Sequence, residues 1–345
     1  MNKKLIGGVT AVLAGIGLYR LISSRQNDET PAAGNWTTAD MPDLTGKVII
    51  VTGGNSGIGF EAAKEFARKR ATTILACRSM TKAGAALTEL KAELPDAAAE
   101  IMQLDLASLD SVRQFAAAFK VKYDRLDVLV NNAGIMMVPY GTTEDGFEQQ
   151  LGTNHLGHFA LTGLLFDLLI KTPGARVVNV SSAAHHRGSM DFDNLMYEQG
   201  EGYTPMGAYG RSKLANLLFT YELQRRFEAM GANALAAAAH PGISQTNLMG
   251  HMADRWYFKP VMLVAPLFLQ SAAMGALPTI RAAVDPAAQG GAYFGPDGPG
   301  ERGGYPVAVE SSDNAHNEAD ARRLWQVSEV LTGVTFGELA GVNGR

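Results

Sequence analysis

Cysteine is almost absent from this chain: Cys77 stands alone among 345 residues. One thiol excludes an intrachain disulfide and any metal site built from several cysteines, and it fits a reducing compartment. A basic excess is missing too. The formal net charge is −4, only 19% of residues are charged, and no lysine- and arginine-rich stripe offers a footing for nucleic acid. No repeat of solenoid period is visible. What the chain has in quantity is apolar residue, 46% of it, enough to bury a full core in one domain or two.

The N-terminus differs from the rest. Lys3 and Lys4 precede an uncharged run from Leu5 to Tyr19, and Arg20 and Arg25 follow it. That length suits a signal-peptide core or a short membrane anchor. No small-x-small cleavage site follows the run, and Gly7, Ala11 and Gly15 share one helical face, so residues 1–24 are expected to be an uncleaved anchor. Charges flank both sides and leave its orientation open. Residues 25–42 read as a polar linker, 43–337 as one folded domain and 338–345 as a tail. A second apolar stretch, 260–278, is interrupted by Pro260, Pro266 and Pro278. It is expected to be a substrate wall or lid, followed by a helix beginning near Ser271, rather than a second span.

Within 43–337 short runs of Val, Ile and Leu alternate with helical stretches. The runs are KVIIVTG (47–53), TTILAC (72–77), EIMQLDL (100–106), LDVLVNNAG (126–134) and RVVNVSS (176–182). Strands this apolar must be covered on both faces, which predicts an α/β fold: a single doubly wound parallel sheet of Rossmann type with helices on either side. The stretch VTGGNSGIGF (51–60) leaves the first strand and enters the first helix. Glycines there let the backbone turn sharply and approach a pyrophosphate, and the helix N-terminus offers unsatisfied N–H groups and a positive dipole. Farther on, Tyr209 and Lys213 lie one turn apart on a predicted helix, a spacing that alone decides nothing.

In order along the chain stand Thr52-Gly53-x-x-x-Gly57-x-Gly59, NNAG (131–134), Asn154 in NHLGHF, NVSS (179–182), Tyr209-x-x-x-Lys213 and HPG (240–242). As an ordered set these resemble the short-chain dehydrogenase/reductase superfamily over roughly 43–337. ACRSMTKA and SSAAHHRGSMDFDNL further resemble its retinol-dehydrogenase-like branch, which often carries an N-terminal membrane anchor. The resemblance implies that Tyr209 exchanges the substrate proton, that Lys213 favours the phenolate and binds the nicotinamide ribose, that Ser182 holds the substrate oxygen and that Asn154 places a relay water. It implies cofactor contacts from Gly53, Asn55, Ser56, Gly57, Ile58 and Gly59 in the glycine loop. Further contacts are implied from Asp105, Leu106, Asn131, Ala133, Gly134, Tyr209, Lys213, Pro241, Gly242 and Thr246. The interval from Ser182 to Tyr209 is longer than the family's shortest form, and the insert is expected to shape the mouth of the substrate site.

Cofactor choice is read at the end of the second strand, LACRS. NAD enzymes place a carboxylate there for the ribose hydroxyls, whereas this chain has Cys77 and Arg78, so NADP(H) is expected with Arg78 on its 2′-phosphate. The expected activity is interconversion of a carbonyl and an alcohol on a lipophilic substrate, retinoid-, steroid- or fatty-aldehyde-like, by an enzyme anchored at a membrane and facing the cytoplasm. A homo-oligomer is left open. The rivals are an NADP(H)-binding sensor without turnover and a protochlorophyllide-type double-bond reductase. Other pairings fare worse. His155 with His158, and His185 with His186, lack the further ligands a metal needs. Ser182 with His240 lacks a G-x-S-x-G elbow. Met136 and Met137 are pocket wall or ordinary core.

Overall fold

Where the sequence runs to Val, Ile and Leu it forms strands: Val48–Thr52 (β1), Thr72–Cys77 (β2), Ala99–Gln103 (β3), Val128–Asn131 (β4) and Ala175–Val180 (β5). The computed structural model describes residues 34–243 and 270–337. Three more strands follow, Ala234–Ala239 (β6), Tyr293–Pro296 (β7) and Pro306–Ala308 (β8), and all eight join one sheet in the order β3-β2-β1-β4-β5-β6-β7-β8. Every described pairing is parallel except that of β7 with β8, which closes the edge antiparallel. The predicted doubly wound sheet is therefore correct for all but its last strand. Ile49, Ile50 and Val51 are fully buried, as strands covered on both faces must be.

The helices are Gly57–Arg68 (α1), Met80–Glu93 (α2), Leu109–Lys122 (α3), Gly157–Leu164 (α4), Phe166–Lys171 (α5), Pro205–Ala229 (α6), Ala272–Val284 (α7) and Glu318–Thr332 (α8). Their starts follow from capping chemistry. Ser79, Ser108 and Ser271 each accept a backbone N–H of their own helix, and α6 begins with a Thr204 cap and Pro205 in its first turn. One apolar core packs α1, α2 and α7 on one face of the sheet through Phe66, Leu90 and Ile280, among others. Another packs α3, α4, α5 and α6 on the opposite face through Phe119, Phe159 and Phe227. Helix α8 lies outside α6, with Trp325 edge-on to Phe159 and the Arg226 guanidinium 3.9 Å from the Trp325 ring. Two layers thus bury α6 along most of its length, which holds Tyr209 and Lys213 in place.

Several sequence expectations are corrected. Pro278 does not break its segment but lies buried inside α7, where packing of the flanking Ala276, Leu277 and Ile280 offsets the ~3 kcal/mol cost of an internal proline. The helix does start after Ser271, as expected. Residues 34–42, read as the end of a polar linker, pack onto the domain: Met41 and Trp36 are buried against the α1–α7 core, and Arg281 stands 5.9 Å from the Trp36 ring. Among the described residues no helix is long and apolar enough to cross a membrane. The segment 1–24, residues 260–269 and the tail 338–345 lie outside the described residues.

Candidate active site

The strand order reverses between β1 and β4, so their carboxyl ends diverge and open a crevice. A cleft of about 280 Å³ occupies it. Gly53 and Gly57 turn the chain there at φ +67° and +55°. A Cβ on Gly59 would stand 2.4 Å from Asn132 Nδ2 and 2.7 Å from Gly53 O, so only glycine lets α1 start this close to the loop. The side chain of Ser56, the residue before α1, makes no capping hydrogen bond, which leaves the N–H groups of the helix's first turn directed at the cleft. The opposite wall is tied to β1 by one hydroxyl: Thr52 Oγ1 accepts the N–H groups of Asn132 and Ala133, both at 2.9 Å. The glycine loop and the first turn of α1 thus form a cradle of backbone donors fit for a pyrophosphate, while the Asn132 and Ala133 N–H groups are spent on Thr52.

Of the predicted cofactor contacts, Gly53, Asn55, Ser56, Gly57, Ile58 and Gly59 line the cleft on the loop side. Arg78, Asp105 and Leu106 line it beside β2 and β3, and Ala133 and Gly134 line it beyond β4. Asn131 is not in the lining. Its side chain is buried and donates to Asn179 Oδ1 at 2.8 Å and Thr162 Oγ1 at 3.1 Å, while Asn132 takes the place at the cleft. Successive strand residues point to opposite sides, so only one of the two asparagines reaches the crevice. Pro241 and Gly242 follow β6 outside the lining, and Thr246 lies outside the described residues. Cys77 is buried at the end of β2; its thiol accepts hydrogen bonds from the Gly54 and Asn55 backbone, and burial pushes its pKa up to about 12.

The other four site residues gather past Gly134. A Cβ on that glycine would lie 3.0 Å from Asn154 Oδ1 and 3.6 Å from Lys213 Nζ, so both side chains crowd the end of the cleft. Asn154 sits in a π turn, Gly152–Leu156, that precedes α4. Its Oδ1 accepts Ile135 N–H at 2.8 Å, and its Nδ2 donates to Ile135 O and to Ser212 Oγ. Lys213 Nζ donates to Val180 O at 2.9 Å and stands 5.7 Å from the Tyr209 ring centre. Burial pushes the lysine down to about 8, which leaves it mostly protonated at pH 7. Burial raises the Tyr209 phenol, and the facing Ser182 hydroxyl pulls it part of the way back. In the bare protein desolvation of the phenolate thus sets the direction of the shift, and Ser182 is the group that opposes it. The two serines divide their work. Ser181 Oγ donates to Lys213 O and anchors α6, whereas Ser182 faces Tyr209.

The short chain dehydrogenase family model matches residues 47–255. Human retinol dehydrogenase 13 is 42% identical over 296 residues, which cover 84% of this chain and 86% of that protein. The chain belongs to the short chain dehydrogenase family. The dehydrogenase is also similar to a solved, uncharacterized protein from Mycobacterium Paratuberculosis, at 41% identity and a TM-score of 0.74 over 88% of this chain and all of that one. A short chain dehydrogenase from Shigella flexneri solved with NADP shares the fold at 23% identity, with a TM-score of 0.57 over 73% of this chain and 98% of that one.

Around this dehydrogenase site stand braces that sequence reading missed. Arg211, between Tyr209 and Lys213 on α6, is buried and donates to the carbonyls of Ser189, Asn194 and Leu195 in the insert. Its guanidinium lies 4.0 Å from the ring of Tyr197, a residue held at φ +53°. Gln150 is fully buried; it accepts Met137 N–H and donates to Tyr203 Oη and Pro205 O. Arg211 had a signal: it is a charged residue between the small Gly210 and Ser212 in the second turn of a helix that must bury both sides. Gln150 had none. His155 and His185 are packed groups, whereas His186 is exposed. His155 pairs with Ser328 Oγ, and His185 joins Ser182 O to Ser312 N. Burial holds His155 near 3 and His185 near 4. Among the described residues no group of three or more His, Cys, Asp or Glu is placed to hold a metal.

Proposed function

We propose that this oxidoreductase interconverts a carbonyl and an alcohol on a lipophilic substrate with NADP(H), in cells chiefly as a carbonyl reductase. The observation that carries the reading is the packing of Asn154 and Lys213 against Gly134 at the end of the glycine cleft, with Tyr209 and Ser182 beside them. When bound, the nicotinamide supplies the hydride that adds to the carbonyl carbon. Ser182 holds the carbonyl oxygen, and Tyr209 gives it the phenolic proton, for which a raised pKa keeps the acid form loaded at neutral pH. The phenolate left behind faces the Lys213 ammonium, and Asn154 orders the path by which a proton returns. An alcohol results, with one hydride and one proton added.

NADP(H) is favoured over NAD(H) because β2 ends in Cys77 and an exposed Arg78 instead of a carboxylate, with Asn55 and Ser56 across the same cleft. A charge-assisted contact of about 1.5–3 kcal/mol corresponds to a preference of roughly ten- to a hundredfold. The name of the relative argues for a retinoid-like substrate, with steroids and fatty aldehydes of similar polarity. The test is a panel of such aldehydes, ketones and alcohols with each cofactor, followed by absorbance of the reduced nicotinamide. NADPH should exceed NADH in kcat/KM, and Tyr209→Phe should remove turnover while leaving NADPH affinity within about threefold, since the lost hydroxyl acts on the substrate. Higher kcat/KM with NADH, or a Phe variant within a few-fold of wild type, refutes the respective part.

Residues 1–24 complete the reading as an uncleaved membrane anchor with the dehydrogenase domain on the cytoplasmic side, where NADPH is available. Full-length protein should sediment with membranes, and protein lacking 1–24 should stay soluble and active. A soluble full-length chain rules the anchor out.

A further inference from the structure

His158 has no part in the chemistry above, yet both of its ring nitrogens are spent inside the site. It lies one turn beyond Asn154, is 1% exposed, and places Nδ1 3.0 Å from Asn154 O and Nε2 2.9 Å from Thr52 Oγ1. The partners settle the tautomer. A carbonyl can only accept, so Nδ1 carries the proton and Nε2 is the acceptor. Burial in a pocket that also feels the Lys213 charge keeps the ring neutral, with a pKa near 4. Thr52 Oγ1 already accepts the N–H groups of Asn132 and Ala133, so its single proton is free to be donated, and His158 Nε2 is closer than the alternative, Val130 O at 3.3 Å. A directed chain results, running from the two cleft N–H groups through Thr52 and His158 to the backbone of Asn154.

We propose that His158 is a positioning residue that locks the wall of the cofactor cleft to the π turn bearing Asn154, one ring nitrogen serving each half of the site. Its Nε2 aims the Thr52 hydroxyl and thereby holds the Asn132–Ala133 wall. Its Nδ1 satisfies the Asn154 carbonyl in a turn whose backbone register is shifted, Gly157 N–H bonding back to Gly152 O. The same helix is pressed against the cleft, because a Cβ on Gly157 would stand 2.4 Å from Leu106 O. A histidine that only filled space would need neither polar contact. A leucine or phenylalanine in its place would leave the Thr52 proton only the longer bond to Val130 O and remove the side-chain donor from Asn154 O.

The inference rests on the reading of Asn154 as part of the proton relay, and two polar variants separate its arms. His158→Asn keeps a donor near the Nδ1 position and loses the acceptor for Thr52. His158→Gln reaches toward the Nε2 position with an acceptor and offers nothing to Asn154 O. In full-length protein, NADPH affinity is read by fluorescence titration and kcat at saturating cofactor. The Asn variant should raise the NADPH Kd at least fivefold with kcat within about threefold of wild type. The Gln variant should hold Kd within about twofold and lower kcat at least tenfold. Thr52→Val, which removes the hydroxyl, should reproduce the rise in Kd and tests the first arm independently of folding at position 158. Two variants that change the same quantities in proportion to their loss of Tm, or that change neither, overturn the inference alone. A wild-type protein that binds no nicotinamide nucleotide overturns the functional reading with it.

Discussion

The two halves of the site are built by different means. On the β1–β3 side the cleft is shaped by backbone: Gly53, Gly57 and Gly59 form its loop, and Thr52 fixes the opposite wall through two main-chain N–H groups. Around the Asn154–Lys213 end, long polar side chains reach across to hold irregular loops. Arg211 grips three carbonyls of the insert, and Gln150 ties Met137, Tyr203 and Pro205 together. A cradle of backbone is specified by where side chains are missing, and its tolerance to change is small. A wall of braced loops is specified by a few buried polar groups.

The largest expected effect breaks the first half. Gly59→Val sets a branched side chain into Gly53 O and Asn132 Nδ2, and the backbone oxygen cannot yield cheaply. NADPH affinity should fall at least a hundredfold in a direct titration; a Kd within threefold of wild type would show that the loop does not carry the cofactor. A smaller effect sharpens the other half. Arg211→Met keeps bulk but leaves three carbonyls without their donor and removes the stack on Tyr197. The KM for a carbonyl substrate should rise about tenfold while the NADPH Kd stays within twofold. Equal losses in both would mean that the brace serves the whole domain and not the substrate wall.

The same contrast explains what was legible in the sequence. The polar set from Asn154 to Lys213 is picked out only by its resemblance to a family, whereas glycines and the strand runs carry local physical reasons and were read directly. Strand β6 was not, because ALAAAA has no β-branched residue and reads as helix or nothing; it is a strand because β5 and β7 flank it and small side chains suit its position under α6 and α7. The resemblance implies a cofactor contact at Asn131, and only the alternation of the strand tells it apart from Asn132. It belongs instead to a buried polar path, Asn131–Asn179–Thr220, whose last hydroxyl donates to Asn216 O on the helix of Lys213. Trp36 was passed over because a lone aromatic in a polar stretch carries no period. Gln150 and Arg211 act through contacts between segments far apart in sequence, which no local pattern records.

Cys77 gives the molecule a clock. Its thiol is buried beneath the glycine loop and held near a pKa of 12, so at pH 8 the folded protein presents almost no thiolate to an alkylating reagent. Once β2 is released the same sulfur returns to an ordinary thiol, roughly a thousandfold more ionised at that pH. Because the chain has no other cysteine, each alkylation event marks one opening of the strand that underlies the cofactor cleft. The rate of modification then reports how often that strand comes free, and a nucleotide that binds the cleft should slow the clock by the factor with which it stabilises the fold.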